Sequence, residues 1–386
     1  MKILHTADWH VGKILKNQPR HDEHQAVLAD LVRIAEAEDV DVVIVAGDLF
    51  ETSSPSPQSQ SLVMGTLLRL SAGGRQVVAL AGNHDNADLV DSVYRPVLGR
   101  LDVHVVGRPK RPDHGGTITI KTRNGETARV AVLPFVSYRF AVRAAEAVLH
   151  EAAQHSLDYA AHVQRIVAAL CAGFTGEAVN VITTHGTVLG GRRGGGEREA
   201  QTLLGYELPP AVFPASAHYA ALGHLHRYQE IDGPCPIAYS GSPLALDFGE
   251  EGNEPVALVV TATPDSRAHV RPVPVAGGRP LRTLRGTLDQ VLAEAAGAGE
   301  AYLRVVLTQQ ASAGLGELVR EQLPNAIDVQ IAEEFRPRCT VGDQRRGRLD
   351  RSPVELFGEF LSEQNVGDER VAAMFGELLD EVTGSH

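Results

Sequence analysis

The sequence predicts a layered α/β protein followed by a small α+β domain and terminal helices. Three observations carry this prediction. Short apolar, β-branched runs recur along the first two thirds of the chain and read as buried strands. Amphipathic stretches such as residues 23–37 and 58–71 alternate with them, as in a sheet covered by helices. Several of the runs end on a short motif of Asp, Asn or His.

In chain order, KILHTA leads into DWH at residues 8–10, DVVIVA into GD at 47–48, and QVVALA into GNHD at 82–85. VNVIT then leads into TH at 184–185, and YAAL into GHLH at 223–226. A sheet whose strands deliver such residues from one edge gathers them into a cluster, which is where open α/β sheets bind ligands. Between the third and fourth motifs a helical block rich in Ala and His spans residues 141–170. The segment GGRRGGGER at 190–198 is too rich in glycine to pack, and a mobile loop beside the site is expected there. Strands at 237–239 and 256–260 carry no motif residue and are expected to complete a second sheet.

After a GGRP turn at 277–280 the pattern restarts as strand, helix (287–296), strand (302–307), helix (314–322) and strand (328–331). The expected boundaries are a motif-bearing domain over 1–270, a small α+β domain over 276–334 that shapes access to the site, an Arg-rich linker over 335–351 and terminal helices over 352–386. Ser352, Pro353 and Glu355 make a helix start with a capping hydroxyl, a proline at the first helical position and a glutamate reaching back. Val354, Phe357, Phe360 and Leu361 then form one apolar face, and Val371, Met374, Phe375, Leu378, Leu379 and Val382 a second. Such faces pack on each other, on the parent domain or on a partner's helices.

Composition narrows the class. With 386 residues, 43% hydrophobic and 22% charged, the chain has ample material for a core and lacks the signature of disorder. No apolar stretch is long enough to span a bilayer, and strand-like sequence begins at Met1 without a secretory signal, so a cytoplasmic location is expected. Cys171, Cys235 and Cys339 are scattered, without CxxC spacing, which argues against a disulfide framework and a zinc ribbon and leaves packing as their reading. A net charge of −12 at first sight disfavours nucleic acid as a partner, because phosphate binding relies on Lys and Arg. Local basic segments remain at Lys13, Lys16 and Arg20 and at Arg192, Arg193 and Arg198, as phosphate contacts or as solvated loop charges.

The motifs supply ligands for two metal ions. Carboxylates, a carboxamide and imidazoles without a thiolate suit Mn²⁺, Fe²⁺ or Zn²⁺ better than Ca²⁺ or Mg²⁺. A shared carboxylate is needed to hold two dications about 3.5 to 4 Å apart, and Asp48 is the candidate bridge. Asp8, His10 and His226 then join it around one ion, and Asn83, His185 and His224 around the other. On an extended strand His224 and His226 would point to the same side. His84 is expected to face substrate, protonating a leaving alkoxide or hydrogen-bonding a phosphate, with Asp85 holding its ring in one tautomer. A metal pair generates hydroxide and neutralises charge on a phosphodiester, so no protein nucleophile is required. No GxSxG elbow, P-loop or Rossmann fingerprint is present. His5, in a strand, and His150, His155 and His162, in the helical block, read as core or surface histidines, and Trp9 as a wedge in the first loop.

With the motifs in view, the chain resembles the calcineurin-like metallophosphoesterases, and more narrowly the SbcD nucleases, bacterial relatives of the Mre nuclease of double-strand-break repair. DWHVGK, GDLF followed by SSPSP, GNHD, GHLH followed by YSGSP at 239–243, the domain after residue 275 and the SPVELFGEF ending carry the resemblance. It implies a four-layer α/β/β/α core with a capping domain. Asp8, His10, Asp48, Asn83, His185, His224 and His226 would hold two Mn²⁺, and His84 would be the catalytic histidine. It further implies 3'-to-5' exonuclease and single-strand or hairpin endonuclease action on DNA, a homodimer, and terminal helices over 352–382 that dock on the coiled coil of the SMC-like ATPase partner SbcC. One departure stands out: some relatives carry a histidine after GDLF, where this chain has Glu51. The rival readings are a small-molecule phosphodiesterase of the same superfamily and a non-catalytic scaffold for DNA ends.

Overall fold

The computed structural model describes residues 1–137, 159–197, 207–312 and 314–336, together with Phe357, Leu361, Val371 and Phe375. The chain forms two compact units, Met1–Gln309 with Ala313–Gln330, and Gln310–Ser312 with Ile331–His386. No helix among the described residues is long and apolar enough to cross a membrane.

The first unit is built on two six-stranded sheets. In the first, β1 (Lys2–Thr6), β4 (Val42–Val45), β5 (Gln76–Leu80) and β6 (Val103–Val106) are parallel, and β13 (Val256–Thr263) and β14 (Ser266–Pro274) extend it antiparallel beyond β1. In the second, β8 (Thr127–Leu133), β9 (Val179–His185), β10 (Tyr219–Gly223) and β12 (Ile237–Tyr239) are parallel, flanked by antiparallel β7 (Thr117–Lys121) and β11 (Gln229–Ile231).

The side-chain period of two explains how these sheets stack. Val42, Ile44, Val78 and Leu80 face Val130, Val132, Val181 and Ala221 in a core between the sheets. Their neighbours Val43, Val45, Val77 and Ala79 pack outward on Leu28 and Leu31 of α1 (His21–Ala37) and on Val63 and Leu67 of α2 (Pro57–Ser71). On the far side Ala131, Ile182, Ala220 and Leu222 pack on Val163, Ile166, Val167 and Leu170 of the helix Tyr159–Cys171. Strands apolar on both faces therefore give the expected four layers, α/β/β/α. The uninterrupted apolar runs of the sequence are the signature of that double burial.

His5 ties the layers together. Its ring, fully buried on β1, meets the Tyr219 hydroxyl at 2.8 Å and the Leu222 carbonyl at 3.2 Å, both on β10 of the other sheet. Burial holds this imidazole down to about 3, so it is a neutral structural link. Trp9 is likewise fully buried and donates its indole N–H to the Thr6 hydroxyl at 3.1 Å. Within the block read as helical, Tyr159–Cys171 is a helix and buries His162, while His150 and His155 lie outside the described residues. Cys171 and Cys235 are free and buried in apolar packing, and Cys339 lies outside the described residues.

A three-stranded sheet of β15 (Leu281–Gly286), β16 (Tyr302–Leu307) and β17 (Ala326–Ile331) belongs with the large sheets up to Gln330. Its helices Leu288–Ala295, started by a capping box at Thr287 and Gln290, and Leu315–Gln322 close a separate small core. It is fastened to the hairpin β2 (Ile14–Leu15) and β3 (Gln18–Pro19) that follows the first motif. Leu15 packs with Phe248 and Leu281, and Lys16 pairs with Asp328 at 3.4 Å. Arg20 is buried against Glu23 and donates to the Ala245 carbonyl. Its guanidinium, at 5.4 Å, and that of Arg279, at 4.2 Å, both lie over the Tyr302 ring. Lys16 and Arg20 thus both engage the small domain. In the second unit, Phe357 and Phe375 are helical residues whose rings stack at 4.1 Å, so the two terminal apolar faces meet each other at that point.

Candidate metal centre

Each motif lies where a parallel strand ends at its carboxyl edge. Asp8 follows β1, Asp48 follows β4, Asn83 follows β5, His185 closes β9 and His224 follows β10. The chain turns sharply at several of these points: Asp8, His10, Asp48 and His224 all have positive φ, at 53°, 47°, 50° and 105°. Side chains other than glycine rarely adopt such backbone, and its clustering marks a functional site. The turns are pinned by Asp8 N–H to Gly47 O and His10 N–H to Asp48 O, both 3.0 Å, which lay the first motif along the second. Gly82 is dictated by crowding, because a Cβ there would lie 2.2 Å from Asp48 Oδ1. The YSGSP segment supports the same loops. Ser242 Oγ lies 2.8 Å from the Asp8 carbonyl, and the Tyr239 hydroxyl donates to Gly186 O while accepting from Val188 N.

All the candidate ligands converge. His10 Nε2 and His226 Nε2 are 3.2 Å apart, with Asp8 close enough to share a cation with them. Asn83 Oδ1 lies 2.9 Å from His185 Nε2 and 3.0 Å from His224 Nδ1. Between the two groups stands Asp48, whose Oδ2 is 3.5 Å from His10 Nε2 and 3.3 Å from His185 Nε2. Donor atoms about 3 Å apart form the edges of a coordination polyhedron with bonds of about 2.1 Å. Two imidazole nitrogens facing each other with no carbonyl or carboxylate between them fit a common cation. The hard O and N donor set fits two divalent ions with Asp48 shared.

Several details differ from the sequence expectation. His224 does not sit on an extended strand with His226. The strand ends at Gly223, and the left-handed turn at His224 sends it to Asn83 while His226 goes to His10. Asp85 does not orient the His84 ring. Its carboxylate accepts from the backbone N–H groups of Gly82, Leu49 and Phe50, because three buried amide donors at a turn outcompete one imidazole. The His84 ring is held by the Glu51 backbone carbonyl, 2.7 Å from Nδ1, and its own backbone N–H donates to Asp48 Oδ1 at 2.8 Å.

The glycine loop also packs. Glu197 accepts from the N–H groups of Gly194, Gly195 and His226, and a Cβ on Gly196 would lie 2.2 Å from Glu250 Oε1. Glycine here permits close approach to His226 instead of looseness. Arg198, at the end of this segment, lies outside the described residues. Lys13 is engaged with Glu51 at 3.0 Å.

Three acidic residues escaped the sequence reading as parts of the site. Glu250 accepts from His226 Nδ1 at 2.7 Å, Glu51 from His10 Nδ1 at 3.0 Å, and Glu197 from the His226 backbone. Only Glu51 carried a signal, through its adjacency to GDLF; Glu250 lies 24 residues beyond its partner.

Electrostatically the cluster holds protons where cations would fit. Burial lowers the His226 imidazole, but the Glu250 carboxylate, with Asp8 and Glu197, outweighs it and raises the group to about 9. His185 reaches about 9 in the same way, burial being outweighed by Asp48 and Asp8. Burial pushes Asp8 up to about 7 against the pull of His185 and His226. For Asp48 the neighbouring imidazoles, His185 foremost, overcome burial and hold it well below the usual carboxylate range. Burial alone would raise Glu51, yet the His10 ring and the Lys13 ammonium bring it to about 2. His10, at about 4, and His224, at about 3, are lowered chiefly by burial.

The calcineurin-like phosphoesterase family matches residues 1–228, and residues 278–365 match the family described as type 5 capsule protein repressor C-terminal domain. The SbcD subunit of the SbcCD nuclease from Bacillus subtilis is 35% identical over 291 residues, 73% of this chain and 71% of that protein. Its counterpart from Rhodobacter capsulatus is 36% identical over 315 residues, covering 75% and 76%. The one from Escherichia coli K12 is 29% identical over 409 aligned positions spanning 100% of both chains.

The sign of the pH dependence follows from the raised imidazoles. His185 and His226, near 9 in the fold against about 6.5 unfolded, contribute stability that is fully present below about 6.5 and lost as pH rises through about 9. The melting temperature of chelator-treated protein should therefore fall between pH 6.5 and 9, and fall less in Glu250→Gln. A saturating divalent cation such as Mn²⁺, were it to bind these ligands in their deprotonated form, should remove the decline. Calorimetry across that range checks it, and a flat or rising profile for the metal-free protein would contradict the assignment.

Proposed function

Because this chain belongs to the calcineurin-like phosphoesterases, and within them to the SbcD subunits of SbcCD nucleases, we propose that it is a DNA nuclease subunit that hydrolyses backbone phosphodiesters with two Mn²⁺ held by Asp8, His10, Asp48, Asn83, His185, His224 and His226. The observation that carries this reading is Asp48 Oδ2 lying within 3.5 Å of imidazoles from both ligand groups. When bound, such a pair supplies Lewis acidity to phosphoryl oxygens and acidity to water.

The chain's own residues do the rest. Asp48 keeps the two groups in register, its other oxygen being fixed by the His84 N–H. His84 is the catalytic histidine of this reading. With Nδ1 committed to the Glu51 carbonyl, only Nε2 is left to hydrogen-bond a phosphate or pass a proton to the leaving oxygen. Loops packed without Cβ atoms around His226 and Asp48 fix the geometry before substrate arrives. Exonuclease action with 3'-to-5' polarity and endonuclease action on single strands and hairpins form part of the same proposal, as does a role in DNA repair and recombination.

The three-stranded domain and the terminal helices favour a polymeric substrate over a small phosphodiester, which needs neither. In a nicking assay with Mn²⁺, the wild-type chain should cleave plasmid, and Asp48→Ala should lose activity on the order of 10³-fold, since it removes the shared ligand. Cleavage of a chromogenic diester alone would reject the DNA reading. Undiminished nicking by Asp48→Ala would point to a scaffold carrying a contaminating nuclease.

Two partners are proposed beside DNA. An SbcC-type ATPase docks on residues 352–382; deleting them should abolish ATPase co-purification and leave Mn²⁺-dependent cleavage intact, and retained co-purification would refute the assignment. A second copy docks on the helical stretch 87–98 and the residues after it, where Val93, Val97 and Leu101 are exposed at four-residue spacing as one apolar stripe. Val97→Asp should shift the chain from dimer to monomer in light scattering, and an unchanged mass would rule this face out.

A further inference from the structure

A cavity of about 200 Å³ opens beside the candidate metal centre, sharing Gly82 and Asn83 with it and walled also by Pro109, Phe135 and Val136. Phe135 is its aromatic wall. It lies just past the carboxyl end of β8, and its N–H donates to the Ala81 carbonyl at 3.0 Å, which pins this loop of the second sheet to the GNHD turn of the first. The Phe135 ring meets the His185 imidazole edge to face, with centroids 6.4 Å apart and planes at 82°, and it is only half-buried. Part of the ring thus rests against a candidate ligand, and part is left to the cavity.

The walls are fixed before any ligand arrives. A Cβ would lie 2.2 Å from Asp48 Oδ1 at Gly82 and 2.2 Å from the Ala87 carbonyl at Gly107, so both positions are glycine because the chain approaches itself there. The charged groups of the lining are already committed. Arg108 donates to both oxygens of Asp88 at 2.8 Å, and the Asp85 carboxylate takes the N–H groups of Gly82, Leu49 and Phe50. A free phosphate would therefore find no unpaired cation among the residues of this cavity. A flat ligand with apolar faces fits better, since an aromatic ring in a fixed apolar cleft is a stacking platform.

We propose that this cavity receives an unpaired nucleobase, stacked on Phe135, from a nucleotide flanking the phosphate held at the metal centre. This rests on the nuclease reading, which brings that phosphate to Asn83. A base paired within a duplex is stacked on its neighbours and cannot enter, so the cavity selects single-stranded, frayed or flipped nucleotides. Stacking on a ring accepts every base. With Arg108 and Asp85 both engaged, the cavity distinguishes unpaired from paired strands and does not read sequence.

The test uses the full-length Mn²⁺-loaded chain and a single-stranded oligonucleotide whose cut site has been mapped. An abasic site is placed in turn on either side of the scissile bond, and kcat/KM for cutting at that bond is compared with the intact strand. In the wild-type chain, loss of the base on one side should lower kcat/KM by about 5- to 150-fold, the range for losing one base–aromatic stack. Phe135→Leu, which keeps apolar bulk against His185 but no ring, should make the intact and abasic strands equivalent, and Phe135→Trp should restore the difference. A fluorescent adenine analogue at the same position should be quenched on binding to the wild-type chain, a readout that needs no variant. If Phe135→Leu slows both strands alike and keeps their ratio, the ring serves only His185 and the proposal fails. It fails equally if neither abasic strand is cut more slowly than the intact one, or if the analogue is not quenched. Those outcomes leave the nuclease reading standing, whereas cleavage of no oligonucleotide at all overturns both.

Discussion

The structure is organised around one unfavourable act, the burial of several carboxylates and imidazoles at the point where two sheet edges meet. Isolated, each such charge would cost several kcal/mol to remove from water. Here Asp48 is surrounded by the His84 amide and by the rings of His10 and His185, and Asp8 by the His224 amide. The two sheets must stack with the carboxyl ends of their parallel strands side by side for this to happen. That requirement accounts for the fully buried His5 link between β1 and β10 and for the His185 ring reaching across to the Ala46 carbonyl. It also accounts for left-handed backbone at Asp8, His10, Asp48 and His224, a strain the packed loops hold in place.

Protons and cations compete for the same space. His185 and His226 are pushed up by the carboxylates beside them, Asp8 is pushed up by burial, and Asp48 is held down by the imidazoles around it. In the proposed metal centre a divalent ion would bind the deprotonated ligands and so release those protons.

Departures from the sequence reading share one cause, competition for hydrogen bonds. Asp85 was expected to serve His84, but three backbone donors at the turn claim its carboxylate. Lys13, Lys16 and Arg20 look like free basic residues in sequence, yet each finds an acidic partner: Glu51, Asp328 and Glu23. Glycines at 194–196 look like slack, yet the absence of a Cβ lets Glu197 and Glu250 close on His226. In each case the partner is either distant in sequence or a backbone group, and residue patterns report neither.

What the sequence determined by itself was the layering and the identity of the clustered side chains. Runs apolar on both faces can only be strands buried between a sheet and helices, and Asp, Asn and His at their ends must gather at one edge because parallel strands share a direction. What only tertiary structure decided was which donor faces which, and what stands behind it. The turn at His224 parts it from His226, the Glu51 backbone carbonyl rather than Asp85 fixes His84, and Glu250 backs His226 from 24 residues away. Those are contacts between loops, set by the packing of two sheets face to face, and no local periodicity encodes them.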